Sequence, residues 1–276
     1  MLLYKNHSLM IELDHIYNCD CLQGMQDIPD GSVDAIICDL PYEVLHKNNE
    51  LVQWDRQIPL EPLWEQYLRV AKPNAAIVLF GQGMFTAQLM MSQPKLWKYN
   101  LIWEKGRATG FLNANRMPMR SHEDIAVFYR SQPTYNPQMR QGDRHSRGNG
   151  VHKQTNQCYG KFKEVKQKVG ATYDYAHIKV VEPTGECFPM SVLHFDKEHS
   201  DDTFHPTQKP VDLLRWLIRT YTNEGETVLD NCIGSGTTAI ACVKEKRHFI
   251  GFETNAEYYE KACKRIDAEQ RQLTLF

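Results

Sequence analysis

Short apolar runs alternate along this chain with stretches whose apolar residues recur at helical spacing. His15–Asn18 is the first predicted strand, ending at Asp20, and a short helix follows it. Val33–Cys38 is almost wholly apolar, as a strand covered on both faces would be. Beyond Asp39 a polar loop runs from Glu43 to Pro59. The spacing then predicts a helix over Leu60–Ala71, with Leu63, Trp64, Tyr67, Leu68 and Ala71 on one face and A-K-P-N as its stop. Ala75–Phe80 reads as another buried strand, Gly81-Gln82-Gly83 as a turn, and Met84–Met91 as a helix. Tyr99–Trp103 and Ile125–Tyr129 are further strands, and the arginine-bearing stretch between them, GRATGFLNANRMPMR, reads as loop.

From Pro133 to about Pro189 the pattern lapses into Gly, Asn, Gln, Tyr and basic residues without a regular period. Regular structure then resumes. Pro210 starts a helix whose apolar face is Val211, Leu214, Leu217 and Ile218. Thr227–Leu229 is a strand, the segment from Gly236 a helix through Ala239, Ile240 and Val243, and His248–Phe252 a strand. A last helix opens at Thr254-Asn255-Ala256-Glu257, a capping-box spacing, and runs to about Arg271. Strand and helix alternate on both sides of the irregular insert, which predicts an α/β fold with a doubly wound, mostly parallel sheet. The expected divisions are 1–132, the insert 133–189, and 190–276.

Composition narrows the class. The chain has 276 residues and 42% apolar content, enough for one large α/β core carrying an insertion. No apolar run approaches a membrane span, and the run within Met1–Glu12 is broken by Tyr4, Lys5, Asn6 and His7, which makes a poor signal peptide. A soluble, cytoplasmic protein is expected. A functional start at Met10 is also expected, because MIELDHIYNCD opens directly into a strand pattern. The eight cysteines include no C-x-x-C pair, which argues against structural zinc and for reduced thiols. Formal net charge is −2, so a basic surface, if present, is local.

Two segments carry candidate chemistry. In Val228–Ala241 a strand ends at Asp230 and a loop containing Gly234, Ser235, Gly236 and Thr237 leads into a helix, matching the G-x-G-x-x-A form of the dinucleotide fingerprint. Glycines let the backbone pass close to a ligand, and the helix start offers N–H groups. Glu253 ends the next strand about 20 residues on, where an acid would bond a ribose diol. A nicotinamide cofactor and S-adenosylmethionine (SAM) both fit such a loop. Asp230 would repel a pyrophosphate but suits the ammonium group of SAM.

The second segment is Asp39-Leu40-Pro41-Tyr42, at the end of a buried strand, where open parallel sheets bind ligands. An exocyclic nucleobase amine is a poor nucleophile, because its lone pair is delocalised into the ring. The Asp39 carboxylate and the Leu40 carbonyl could accept its two N–H bonds, Tyr42 could stack on the base, and Pro41 would stiffen the turn. Such a base must first leave the duplex.

Together these motifs make the chain resemble the DNA amino-methyltransferases that act on adenine N6 or cytosine N4, in the class of circular permutation called β. Its D-L-P-Y is similar to the family's catalytic D-P-P-Y, and VLDNCIGSGTT to its SAM loop. The resemblance implies a Rossmann-like methyltransferase sheet with the catalytic half first, a target-recognition insert, and the SAM-binding half last. It implies that Asp20 and Cys21 hold the SAM adenine and that H-P-T-Q-K-P, with Lys209, helps hold its methionine end. KPNAAIVLFG, IWEKG and RSHEDIAVF resemble the segments that link the catalytic motif to the recognition region. Cys232 stands where the family usually has phenylalanine, and Asn231 where it has proline, so altered SAM affinity is expected.

Between Asn136 and Gly170 the insert is rich in basic residues, among them Arg140, Arg144, Arg147, Lys153, Lys161 and Lys163, against the acids Asp143 and Glu164. These are the expected DNA-contacting residues, with Arg107, Arg116 and Arg120 as second candidates. The combined expectation is adenine-N6 methylation of double-stranded DNA, in a bacterial or phage setting. A homodimer and a cognate restriction enzyme are the possible protein partners. Cytosine-N4 methylation, RNA methylation, a nicotinamide oxidoreductase and a silent DNA-binding module are the alternatives. Cytosine-C5 chemistry is disfavoured because no Pro-Cys pair supplies the nucleophile, and no metal is required.

Overall fold

The structure is a computed structural model, described here for residues 11–42, 55–141, 186–197, 205 and 207–274. Met1–Gln138 and Met190–Phe276 form one compact unit, and Met139–Pro189 a second. The elements in chain order are β1 (His15–Tyr17), α1 (Cys21–Gly24), β2 (Val33–Cys38), α2 (Leu60–Val70), β3 (Ala71–Gly81), α3 (Met84–Ser92), β4 (Trp97–Thr109), β5 (Arg120–Phe128), β6 (Arg140–Gln141), β7 (Glu186–Cys187), β8 (Val192–Phe195), α4 (Val211–Tyr221), β9 (Thr227–Asp230), α5 (Thr237–Lys244), β10 (His248–Phe252) and α6 (Ala256–Thr274).

The first unit holds an eight-stranded sheet in the order β1-β10-β9-β2-β3-β5-β4-β8. Five of its pairings are parallel, and only β5 runs antiparallel to its neighbours β3 and β4. That exception follows from connection length. β4 and β5 are joined by a short hairpin, which can link only antiparallel strands. Successive residues of the central strands feed opposite faces. Ala35 and Ile37 of β2 pack on α4, α5 and α6 through Leu214, Leu217, Ile240 and Ile266. Ile36 and Cys38 pack on α1, α2 and α3 through Cys21, Leu63, Trp64 and Leu89. Burial on both faces is why these strands read as continuous apolar runs.

Four expectations shift on the structure. A-K-P-N does not end α2 in a loop; β3 begins directly at Ala71, and Pro73 is tolerated because the β2–β3 register slips between Val33 and Ala35. GRATGFLNANRMPMR is not all loop: β4 continues to Thr109, a single 3-10 turn covers Phe111–Asn113, and β5 begins at Arg120. Pro210 is the N-cap of α4 rather than its first helical residue. The cap of α6 is Asn255, whose Oδ1 accepts the Tyr258 amide at 3.0 Å, so the capping-box spacing from Thr254 is one residue out of register.

The second unit, within the expected irregular insert, contains the short antiparallel pair β6–β7, with Arg140 opposite Cys187 and Gln141 opposite Glu186. Arg140 is exposed. Arg144, Arg147, Lys153, Lys161 and Lys163 lie outside the described residues, as does Met10. Among the described residues, no helix is long and apolar enough to cross a membrane, and no cluster of side chains could hold a metal ion.

Candidate active site

The sheet reverses its winding between β9 and β2, which are parallel neighbours: the chain proceeds outward from β2 to β3 and, in the other direction, from β9 to β10. Open α/β sheets bind ligands at such a switch point, beyond the carboxyl ends of the strands. Asp39 follows β2 there, and Asp230 ends β9. Both line a pocket of about 1060 Å³, together with Asp20, Tyr42, Lys209 and Glu253.

Asp39 is held from two sides. The Tyr42 hydroxyl donates to its Oδ1 at 2.6 Å, and the Lys209 ammonium pairs with its Oδ2. Tyr42 in turn has its amide on Asp55 Oδ1 at 3.2 Å and its ring 4.8 Å from that of Phe85. Burial pushes the Asp39 carboxyl above its ordinary range; Lys209 opposes this, and nearby Glu123 adds to it. Burial and the Asp39 charge also keep the Tyr42 phenol protonated. Leu40 is buried, which fixes the backbone of the turn.

The glycine loop is built around two carboxylates. Glu253 accepts the Gly234 amide through Oε2 at 3.0 Å and the Asn255 amide through Oε1 at 2.7 Å. Its own amide donates to Tyr17 O at 3.0 Å, tying β10 to β1. Asp230 accepts from Thr238 Oγ1 at 2.6 Å and from the Cys232 amide at 3.1 Å. Burial pushes the Asp230 carboxyl up to about 6 and also raises that of Glu253. Gly236 takes φ +77°, a conformation that favours glycine, and a Cβ there would lie 3.2 Å from Ala262. Gly234, at φ +50°, faces the His205 ring, which also packs edge-on against Tyr258 at 4.4 Å. Ser235 and Thr237 are buried, their hydroxyls 2.9 Å apart.

On the far side of the pocket Asp20 caps α1, accepting the Leu22 amide at 2.9 Å and the Gln23 amide at 3.2 Å through a single oxygen, Oδ1. The Asn231 amide nitrogen lies 3.5 Å from both Cys21 Sγ and Cys232 Sγ, while its oxygen accepts from the Tyr67 hydroxyl at 2.5 Å. Cys232 therefore turns into a polar cluster with Cys21 and Asn231.

Two site groups, Lys105 and Glu123, have no role assigned from the sequence, and His205, the first residue of H-P-T-Q-K-P, sits at the glycine loop. Lys105 and Glu123 form a buried ion pair, and Glu123 Oε2 lies 3.4 Å from Lys209 Nζ. The signal for the first two was present: Lys105 continues the inward alternation of Leu101 and Trp103, and Glu123 that of Ile125 and Val127. A charge in an inward position needs a partner.

Comparison with known proteins agrees with this geometry. A family model described as DNA methylase, of the N6/N4 type, matches residues 33–264, which span both Asp39 and the glycine loop. The chain belongs to the N6/N4 DNA methylase family. It is thus a DNA amino-methyltransferase. The type II methyltransferase M.HindIII of Haemophilus influenzae is 25% identical over 94% of this chain and 96% of its own length. M.BglII of Bacillus subtilis is 25% identical over 93% of this chain and 70% of its own. Among solved structures, the M1.HpyAVI–SAM complex superposes with a TM-score of 0.60 at 24% identity, covering 91% of this chain and 98% of that one. The cytosine-N4-specific PvuII DNA methyltransferase gives 0.60 at 14% identity, covering 93% and 91%. These likenesses carry the fold. SAM is the cofactor of the N6/N4 methylases, and the pocket suits it: two carboxylates buried within it, Asp230 and Glu253, flank a loop turned by Gly234 and Gly236 at positive φ.

Proposed function

We propose that this methylase transfers the methyl group of SAM to N6 of an adenine flipped out of double-stranded DNA. The observation that carries the reading is the meeting of Asp39 and Asp230 at adjacent strand ends in one pocket. When bound, SAM supplies a methyl group on a positively charged sulfur. Asp230 answers the ammonium of its amino-acid end, Glu253 the ribose hydroxyls, and Asp20 with the Cys21 backbone the adenine. Gly234, Ser235, Gly236 and Thr237 let the main chain approach, while Cys232 offers a small thiol where a ring would fill more space.

At the target base, Asp39 and the Leu40 carbonyl accept the two amine N–H bonds, which turns the nitrogen lone pair toward the methyl group. Tyr42 stacks on the base, and Pro41 keeps the turn rigid. The methylated amine would have a proton to lose, and the Asp39 carboxylate, as its hydrogen-bond acceptor, would take it. Arg140 and the insert's Arg144, Arg147, Lys153, Lys161 and Lys163 supply phosphate and base contacts. Adenine is favoured by the aspartate that heads D-L-P-Y. Cytosine N4 is the second reading, favoured by the fold shared with the PvuII enzyme. Type II methyltransferase relatives support a bacterial cytoplasmic setting and a cognate restriction enzyme as partner. A homodimer belongs to the same proposal.

The test is transfer of labelled methyl to duplex DNA by wild type and Asp39→Ala, with SAM affinity measured beside it. Loss of transfer by about a hundredfold or more, with SAM still bound, is expected of the variant. Full transfer by Asp39→Ala would refute the assignment, and preferential competition by RNA would redirect the substrate.

A further inference from the structure

The Asp39 carboxylate that should receive the target amine already holds an ammonium, that of Lys209. A neutral amine N–H is a weaker donor than an ammonium, so it competes poorly with Lys209 for Asp39 Oδ2 while the lysine has no other anion to go to. Leaving Lys209 unpaired at this depth would forfeit the interaction that offsets its desolvation. The structure provides that anion. Glu123 Oε1 pairs with Lys105, whereas Oε2 is buried without a hydrogen-bond partner among the described residues and lies 3.4 Å from Lys209 Nζ. The Phe80 ring lies 5.1 Å from Nζ and would stabilise the cation between the two acids.

We infer that Lys209 is a positioning residue that is handed from Asp39 to Glu123 when the target amine enters, so that Glu123 and its partner Lys105 set how readily Asp39 becomes available. In the free enzyme Lys209 favours the ionised form of Asp39 and aims its Oδ2. On substrate entry the ammonium moves to Glu123 Oε2, and Asp39 Oδ2 turns to the amine. No bond other than hydrogen bonds changes, and the charge of the cluster is conserved. The inference rests on the proposed amine methylation, so its test has one arm that needs no activity.

In that arm, the Lys209 ammonium is followed by proton–nitrogen NMR of the lysine-labelled protein. Asp39→Asn mimics an occupied Asp39. A slowly exchanging Lys209 signal should persist in this variant, held by Glu123, and vanish in Asp39→Asn/Glu123→Gln. Loss of the signal already in Asp39→Asn overturns the handover, whatever the enzyme methylates. In the second arm, single-turnover transfer to duplex DNA is measured beside SAM binding. Glu123→Gln should slow transfer about tenfold or more while SAM affinity stays within about twofold, and Glu123→Asp should recover part of the rate. In a Lys209→Met background, adding Glu123→Gln should cost less than about a further twofold. A wild-type rate in Glu123→Gln, or an undiminished loss in the double variant, overturns the inference. Failure of wild type to methylate any DNA would instead refute the proposed function.

Discussion

Asp230 should make the free enzyme less stable than it could be, and replacing it should expose the trade. Burial moves its carboxyl from the ordinary 3.8 up to about 6, despite the bonds from Thr238 and Cys232. A raised folded pKa means that the folded state holds the proton more tightly than the unfolded chain. The stabilising effect is fully present below about pH 4 and is lost as pH rises through about 6. At pH 8 the deficit is about two pK units, or about 3 kcal/mol. Asp230→Asn keeps the shape and the acceptor for the Cys232 amide but removes the buried charge. In urea unfolding, the variant should exceed wild type by up to about 3 kcal/mol at pH 8 and by almost nothing at pH 4. SAM affinity should fall roughly 10- to 100-fold, the range of a hydrogen bond to a charged group. Equal stability at both pH values would refute the burial argument. Unchanged SAM affinity would refute the pairing with the ammonium.

Other expectations address the neighbouring groups. Tyr42→Phe removes the 2.6 Å bond that favours ionised Asp39, so the acid limb of the transfer rate should move to higher pH while stacking is kept; an unmoved limb counts against that coupling. Gly236→Ala meets both φ +77° and a 3.2 Å contact with Ala262, whereas Gly31→Ala meets φ +60° with open space around it. The first should cost about 2 kcal/mol or more in thermal unfolding and the second about 1, the difference measuring the crowding. Burial lowers the His205 imidazole from 6.5 to about 4, so stability present above pH 6.5 should be lost as pH falls toward 4, by about 3 kcal/mol. His205→Gln should flatten that limb.

The strands at the heart of the sheet were legible because burial on both faces leaves an almost wholly apolar run: His248–Phe252 and Val33–Cys38 have the predicted limits. The glycine loop was legible because positive φ at Gly234 and Gly236 leaves few other residue choices. Boundaries failed where a tertiary partner overrides local punctuation. Pro73 looks like a stop, yet a register slip lets β3 run through it. The hairpin beyond Trp103 looks like a loop because its outer half, Arg107 and Arg116 among it, is exposed and has no apolar alternation to read. Lys209 illustrates the other limit. Its segment was recognised, but its pairing with Asp39 joins positions far apart in the chain, and no local spacing could announce that.

The most direct test of the account is methyl transfer from labelled SAM to mixed-sequence duplex DNA, followed by digestion and mass spectrometry of the nucleosides. Labelled N6-methyladenine is the expected product. Labelled N4-methylcytosine would contradict the choice of base, and no labelled nucleoside from an enzyme that binds SAM would contradict DNA methylation itself.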